Sequence, residues 1–149
     1  MRLSHLVLAL ALMFTVACGG GNTATETSSA VPPPPAAFAQ SDLTAGSGSL
    51  AGKGARITVN YTGWIYDASK PDNKGAQFDT SVGRGPFSFT LGTGDVIPGW
   101  DRGFDAMRVG GKRRLIIPPA LGYGAEGTPG GPIPPNAGLV FEMELLDVK

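Results

Sequence analysis

The sequence predicts an α+β domain in which one short α-helix packs on an antiparallel β-sheet. Three observations carry that prediction. Several segments after residue 55 alternate apolar and polar side chains with the period of a half-buried strand. One segment, beginning at Pro98, instead spaces its large apolar residues as a helix does. The chain holds 23 glycines and 13 prolines in 149 residues, and those after residue 55 punctuate the intervals, so the elements are short and joined by tight turns.

Taken in order, residues 1–17 carry Arg2, an apolar run from Leu6 to Phe14 and then Thr15-Val16-Ala17 before Cys18. That run is too short to span a bilayer as a mature helix and has the layout of a secretory signal. Residues 18–40 are Gly, Ser, Thr and Ala with four consecutive prolines, Pro32 to Pro35. So little of this segment is apolar that burial cannot offset the entropy of ordering, and it reads as a disordered tether. The prolines favour a stiff polyproline II rod, a spacer between an anchor and the folded domain assigned to 41–149.

Within that domain, Ile57, Val59 and Tyr61 alternate with Arg56, Thr58 and Asn60. Phe87, Phe89 and Leu91 alternate with Ser88 and Thr90, and Leu115-Ile116-Ile117 is stopped by Pro118-Pro119. Leu139, Phe141, Met143 and Leu145 alternate with Val140, Glu142 and Glu144 in the last long strand. Pro98 suits the first turn of a helix, Trp100, Phe104 and Met107 follow at helical spacing, and Gly110-Gly111 ends the run. Two loops stand apart: Tyr66 to Gly75, a polar surface excursion, and the Gly/Pro-rich stretch from Gly122 to Asn136, a stiff flap.

Composition removes whole classes of chemistry. Twelve basic residues balance twelve acidic ones, so no overall field draws the chain to nucleic acid. The single His is His5 and the single Cys is Cys18. Once a leader is cleaved at or near Cys18, the domain has no imidazole and no thiol. Ser-His-Asp and Cys-His catalysis, disulfides and His/Cys zinc sites are then excluded. No metal or cofactor site is expected.

Between Phe78 and Tyr123 the chain sets aromatic side chains, the Val96-Ile97 pair and Asp79 among turn formers. Such a set can line a small apolar pocket with a few polar groups at its edge. The motifs themselves resemble the FKBP-type peptidyl-prolyl isomerases, from about Asp42 to Lys149. Val59-Asn60-Tyr61-Thr62-Gly63, Phe78-Asp79, Val96-Ile97-Pro98-Gly99-Trp100, Leu121-Gly122-Tyr123-Gly124 and Leu139-Val140-Phe141-Glu142 carry the resemblance. It implies a twisted sheet wrapped around the helix and an enzyme that speeds rotation about X-Pro bonds without a covalent intermediate. It also implies proline-containing polypeptides as substrates and macrolides as inhibitors.

Residue by residue, the resemblance makes Tyr61, Phe78, Asp79, Trp100 and Tyr123 the catalytic set, with Trp100 beneath the proline and Tyr123 a hydroxyl donor at the rim. Arg84, Phe87, Val96, Ile97, Ile133 and Phe141 are the expected substrate contacts. Asp79 has several open roles: orienting Tyr61 or Arg84, facing the twisted carbonyl carbon, or capping the Thr80-Ser81 turn. An alternative of another class is a proline-peptide or partner-protein binding module, a surface lipoprotein in which turnover is incidental.

Ala17-Cys18-Gly19 resembles a bacterial lipobox, in which Cys18 is diacylated and becomes the first mature residue; plain cleavage after Ala17 is the competing reading. Gly19 in place of Asp fits export to the outer membrane. The expectation is a lipid-anchored extracytoplasmic protein. Stable anchoring takes two acyl signals, so loss of a diacylated Cys abolishes it. Cys18→Ser should therefore move the protein from the membrane fraction to the soluble extracytoplasmic fraction. Unchanged membrane association in that variant defeats the anchor.

Overall fold

The computed structural model describes residues 31–149. The segment read as a signal, Cys18 and the part of the expected tether up to residue 30 lie outside the described residues. Six strands and one helix follow in order. The strands are β1 (Ala39–Thr44), β2 (Arg56–Tyr66), β3 (Lys74–Thr80), β4 (Phe87–Thr90), β5 (Lys112–Ile117) and β6 (Leu139–Val148). Helix α1 (Pro98–Phe104) lies between β4 and β5.

All pairings are antiparallel, in the order β1-β5-β6-β2-β3, with β4 beside β2. Strand β2 is the centre. One side pairs with β6 along its length, from Ile57 opposite Val148 to Ile65 opposite Leu139. Its other side is shared: β4 takes Arg56 to Val59 and β3 takes Thr62 to Tyr66. The alternation read in the sequence holds, because Ile57 and Val59 of β2 and Leu139, Phe141, Met143 and Leu145 of β6 all point into one core.

That core is sealed by α1, which lies against β5. Gly99 and Gly103 are one helical turn apart on the face that meets the sheet. A β-carbon on Gly99 would stand 2.7 Å from Ile117 Cδ1, and one on Gly103 would overlap Leu115 Cδ1. The two bare backbones let the helix sit directly on Leu115 and Ile117, both fully buried. Trp100 and Phe104, the next residue along in each turn, then face the interior.

The helix is shorter than its apolar stripe predicts. It ends at Phe104, and Ala106 takes a positive φ of 60°, so Met107 lies beyond it. Pairing elsewhere wins over helical continuation. Ala106 N–H donates to Ala51 O (3.1 Å), Ala51 N–H donates to Met107 O (2.7 Å), and Leu50 bridges Arg108. Met107 is still buried, reaching the core from this bridge rather than from the helix. The carbonyls freed at the helix end find Arg113, which donates to Gly103 O (2.7 Å) and Asp105 O (3.2 Å) and pairs with Asp42 of β1 (2.6 Å). Such capping of last-turn carbonyls by a cation is favourable to the helix dipole as well.

Two strands have no signature in the sequence. β1 is exposed along its whole length, and β3 mixes Gly and Ala with polar residues. β1 begins two residues ahead of Ser41, with Ala39 and Gln40 paired to Ile116 and Leu115. Phe38, within the stretch expected to be tether, packs on the core with the Arg102 guanidinium 5.0 Å from its ring centroid. The Tyr66 to Gly75 excursion is exposed at its tip, as expected, yet its base is held. Asp72 and Lys74 join Arg114 and Glu142 in an ion-pair network on the sheet (3.0, 2.6 and 2.9 Å).

The glycine seam yields a prediction opposite in sign to helix propensity. Alanine is the better helix former by about 1 kcal/mol. Gly103→Ala should nevertheless destabilise the fold by about 1–3 kcal/mol, because the methyl group drives into fully buried Leu115. Denaturant titration of the variant checks this; a stabilised protein overturns the close-packed seam.

Candidate functional site

Four strands on one side of the sheet, the start of α1 and the turn before it meet at one cleft. β2 contributes Tyr61, β3 Phe78 and Asp79, β4 Phe87, and β6 Phe141, while the turn before α1 supplies Asp95, Val96 and Ile97. Trp100 lies on the first turn of α1, and Tyr123 stands after the short turn at Pro119–Leu121. Together they enclose an open cleft of about 210 Å³.

Trp100 is its floor. Pro98 starts the helix from an extended Ile97, and Trp100 N–H donates to Ile97 O (2.9 Å). The indole is buried and meets the surrounding rings edge to face: Tyr61 at 4.9 Å between centroids, Phe141 at 5.2 Å and Phe87 at 6.2 Å. Edge-to-face contacts satisfy the ring quadrupoles and hold the walls upright around the floor. Phe78 meets Phe141 edge to face at 5.5 Å across Gly63, where a β-carbon would stand 2.6 Å from Phe141 and 2.7 Å from Phe78. Phe87 and Tyr123 remain 42% and 40% exposed, which leaves an apolar rim open to an incoming chain.

One end of the cleft is polar. Asp79 accepts from the Tyr61 hydroxyl (2.6 Å) and from Thr80 N–H (2.9 Å), and pairs with the Arg84 guanidinium. Arg84 also donates through Nε to Thr80 O (2.8 Å), which closes the turn on itself. Asp79 thus contacts Tyr61, Arg84 and the turn backbone at once. Burial pushes the Tyr61 phenol up to about 12, helped by its hydrogen bond to Asp79. Burial raises Tyr123 too, with the Asp79 charge adding to the effect.

The turn that carries Val96 and Ile97 is tied to the helix. Asp101 of α1 accepts from Gly92 N–H (2.8 Å) and Gly94 N–H (3.3 Å), both glycines having positive φ. The floor and the Asp95-Val96-Ile97 edge are thus tied together.

Of the residues singled out in the sequence, Tyr61, Phe78, Asp79, Phe87, Val96, Ile97, Trp100, Tyr123 and Phe141 line this cleft. Arg84 does not line it but stands behind Asp79, in a neighbouring depression beside Tyr61 and Phe87. Ile133 does not line it either. It is 4% exposed and turned into the core, because Thr128 Oγ1 accepts from its N–H (2.9 Å) and folds the flap tip inward. Asp95 lines the cleft and was missed; its one signal in the sequence is its place directly before Val96-Ile97. Among the described residues no cluster of His, Cys, Asp and Glu could hold a metal, and no helix is long and apolar enough to cross a membrane.

Comparison with known proteins agrees with this geometry. Residues 48–146 match the family model described as FKBP-type peptidyl-prolyl cis-trans isomerase. An FK506-binding protein of Neisseria meningitidis serogroup B is 53% identical over 108 residues, 72% of this chain and 92% of that protein. A peptidyl-prolyl cis-trans isomerase of Arabidopsis thaliana is 47% identical over 69% of this chain and 20% of its own length. Among solved structures, the crystal structure of FkpA from Escherichia coli superposes with a TM-score of 0.63 at 43% identity, over 75% of this chain and 48% of that one.

The raised phenols set the pH behaviour of the cleft. A phenol whose value is raised stays protonated at every pH below it, so Tyr61 remains a donor to Asp79 throughout the neutral range. The only His in the chain is His5, outside the described residues, so no imidazole titrates in the domain near pH 7. The catalytic step should vary less than about twofold between pH 6 and pH 8. A steep profile in that window, measured on a short X-Pro peptide, overturns the assignment of these groups.

Proposed function

This chain belongs to the FKBP-type peptidyl-prolyl cis-trans isomerases, and on that premise we propose that it rotates X-Pro bonds of proteins folding outside the cytoplasm, held to a membrane through Cys18. The observation that carries the catalytic part is the Trp100 floor, walled by Tyr61, Phe87 and Phe141 beside the Val96-Ile97 edge. The cellular part rests on the signal-like leader and Ala17-Cys18-Gly19.

An X-Pro bond is held planar by amide resonance, with a rotation barrier of roughly 18–20 kcal/mol. Uncatalysed exchange takes tens to hundreds of seconds. Planarity places negative charge on the carbonyl oxygen, a separation that water stabilises. Twisting removes the resonance and makes the bond less polar. A cleft walled by Tyr61, Phe78, Phe87, Trp100 and Phe141 offers the planar amide little solvation, so it disfavours the ground state more than the twisted one.

Shape adds to this. The pyrrolidine ring lies on Trp100 while the Val96-Ile97 backbone, fixed to α1 through Asp101, holds the chain beyond it. In this reading Tyr123, partly exposed at the rim, donates to a substrate carbonyl, and the Tyr61-Asp79-Arg84 group braces the polar end. No side chain needs to gain or lose a proton. Each 1.4 kcal/mol of preference for the twisted bond is worth about tenfold in rate. An FK506-like macrolide, as the name of the Neisseria relative indicates for that protein, would occupy the same cleft and compete.

Trp100→Ala should lower kcat/KM by about tenfold or more, roughly 1.4 kcal/mol. Trp100 also packs against Phe89 and Phe104, so this variant should lose about 3–5 kcal/mol of stability. Trp100→Leu fills more of the space and separates the two effects, keeping the fold but losing the flat floor. Leu-Pro peptides should turn over faster than Glu-Pro peptides, because a carboxylate before the proline must be desolvated. Full activity in a folded Trp100→Leu protein, or preference for Glu-Pro, places the reaction elsewhere.

A further inference from the structure

Two carboxylates line the cleft, and only one of them is balanced. Asp79 is paired with Arg84 and bonded to Tyr61. Asp95 makes no ion pair among the described residues. Its Oδ2 accepts only a long bond from Thr90 N–H (3.3 Å), and the residue is exposed to solvent at the cleft edge. Its position is nonetheless fixed, because Asp101 ties the glycines on its N-terminal side to the helix that carries Trp100.

We propose that Asp95 sets a charge preference for this enzyme: X-Pro bonds flanked by lysine or arginine are favoured over those flanked by acidic residues. The proposal rests on the cleft being the site of turnover. A lysine beside the proline can lay its methylene stem on the apolar rim, where Phe87 and Tyr123 are partly exposed, and keep its ammonium in water near Asp95. The apolar walls reduce the screening between the two charges relative to open solvent. An acidic neighbour meets the opposite sign and is repelled. Because Asp95 is exposed, the effect is several-fold rather than a hundredfold. Val96 and Ile97 follow Asp95 directly, so the charge acts on residues next to the proline rather than on distant parts of the substrate.

The test uses the full chain and short peptides that differ only in Lys, Leu or Glu, placed in turn before and after one proline. At about 0.01 M salt, the Lys:Glu ratio of kcat/KM should exceed that of an Asp95→Asn variant by about threefold or more. At about 1 M salt the difference between the two proteins should largely vanish, since screening then acts within about 3 Å. Asp95→Asn keeps an oxygen for Thr90 N–H, and Asp95→Lys should shift the ratio further toward Glu. Equal ratios in wild type and Asp95→Asn, with the Leu peptide still turned over, overturn the charge preference and leave the isomerase cleft intact. No turnover of the Leu peptide by the wild-type protein overturns the cleft as the site, and the preference with it.

Discussion

The close approach of α1 to β5 governs the rest of the molecule. A helix carrying ordinary side chains on its sheet-facing side would stand off by the thickness of those side chains. Gly99 and Gly103 remove that thickness, so Ile117 and Leu115 touch helix backbone. This sets how deep Trp100 lies, because Trp100 follows Gly99 directly and has no freedom to rise or sink independently of it. It also sets the position of the Asp95-Val96-Ile97 edge, which Asp101 ties to the same helix. The other end of α1 is closed by Arg113, whose bonds to Gly103 O and Asp105 O link the helix to β5 and, through Asp42, to β1. A seven-residue helix, too short to be stable alone, is thereby held at both ends by the sheet.

The cleft that results is asymmetric by construction. Its floor, Trp100, is braced by five other rings, mostly edge to face, which keeps the walls from collapsing onto it. Its polar end is a closed circuit in which every partner of Asp79 comes from β2, β3 or the turn after it. Such a site suits a reaction whose barrier is lost resonance rather than proton transfer. Apolar surroundings and a rigid shape act on the twist itself, and a polar end already satisfied within the protein does not compete for the substrate. Asp95 is the exception to this internal balance: it has no ion pair among the described residues and is exposed at the cleft edge.

Much of the fold was legible wherever one face of an element is buried. β2, β4, β5 and β6 show their apolar alternation or runs because one face of each meets the core. β1 and β3 did not announce themselves. They are edge strands held by backbone hydrogen bonds, which any sequence can supply, and β1 buries nothing that would shape its composition. The helix end misled for a related reason: Met107 continues the apolar spacing, but its backbone is claimed by Ala51 through a contact distant in sequence. Phe38 is similar, an apolar residue in a segment that reads as tether and that the core nevertheless uses.

The chain by itself determined which residues could be buried, where turns fall, and that residues 31–149 carry no imidazole or thiol, since these follow from side-chain chemistry and local conformational preference. It also carried the motif residues Tyr61, Phe78, Asp79, Phe87, Val96, Ile97, Trp100, Tyr123 and Phe141, which converge on one cleft. Tertiary structure alone decided which neighbours face it. Ile133 turns into the core because Thr128 closes the flap tip, Arg84 stands behind Asp79, and Asp95 emerges at the edge. Those placements combine turn hydrogen bonds that are local in the chain, such as Ile133 to Thr128 and Arg84 to Asp79, with packing against strands distant in sequence, and a one-dimensional pattern records a residue's character without recording the direction in which the fold points it.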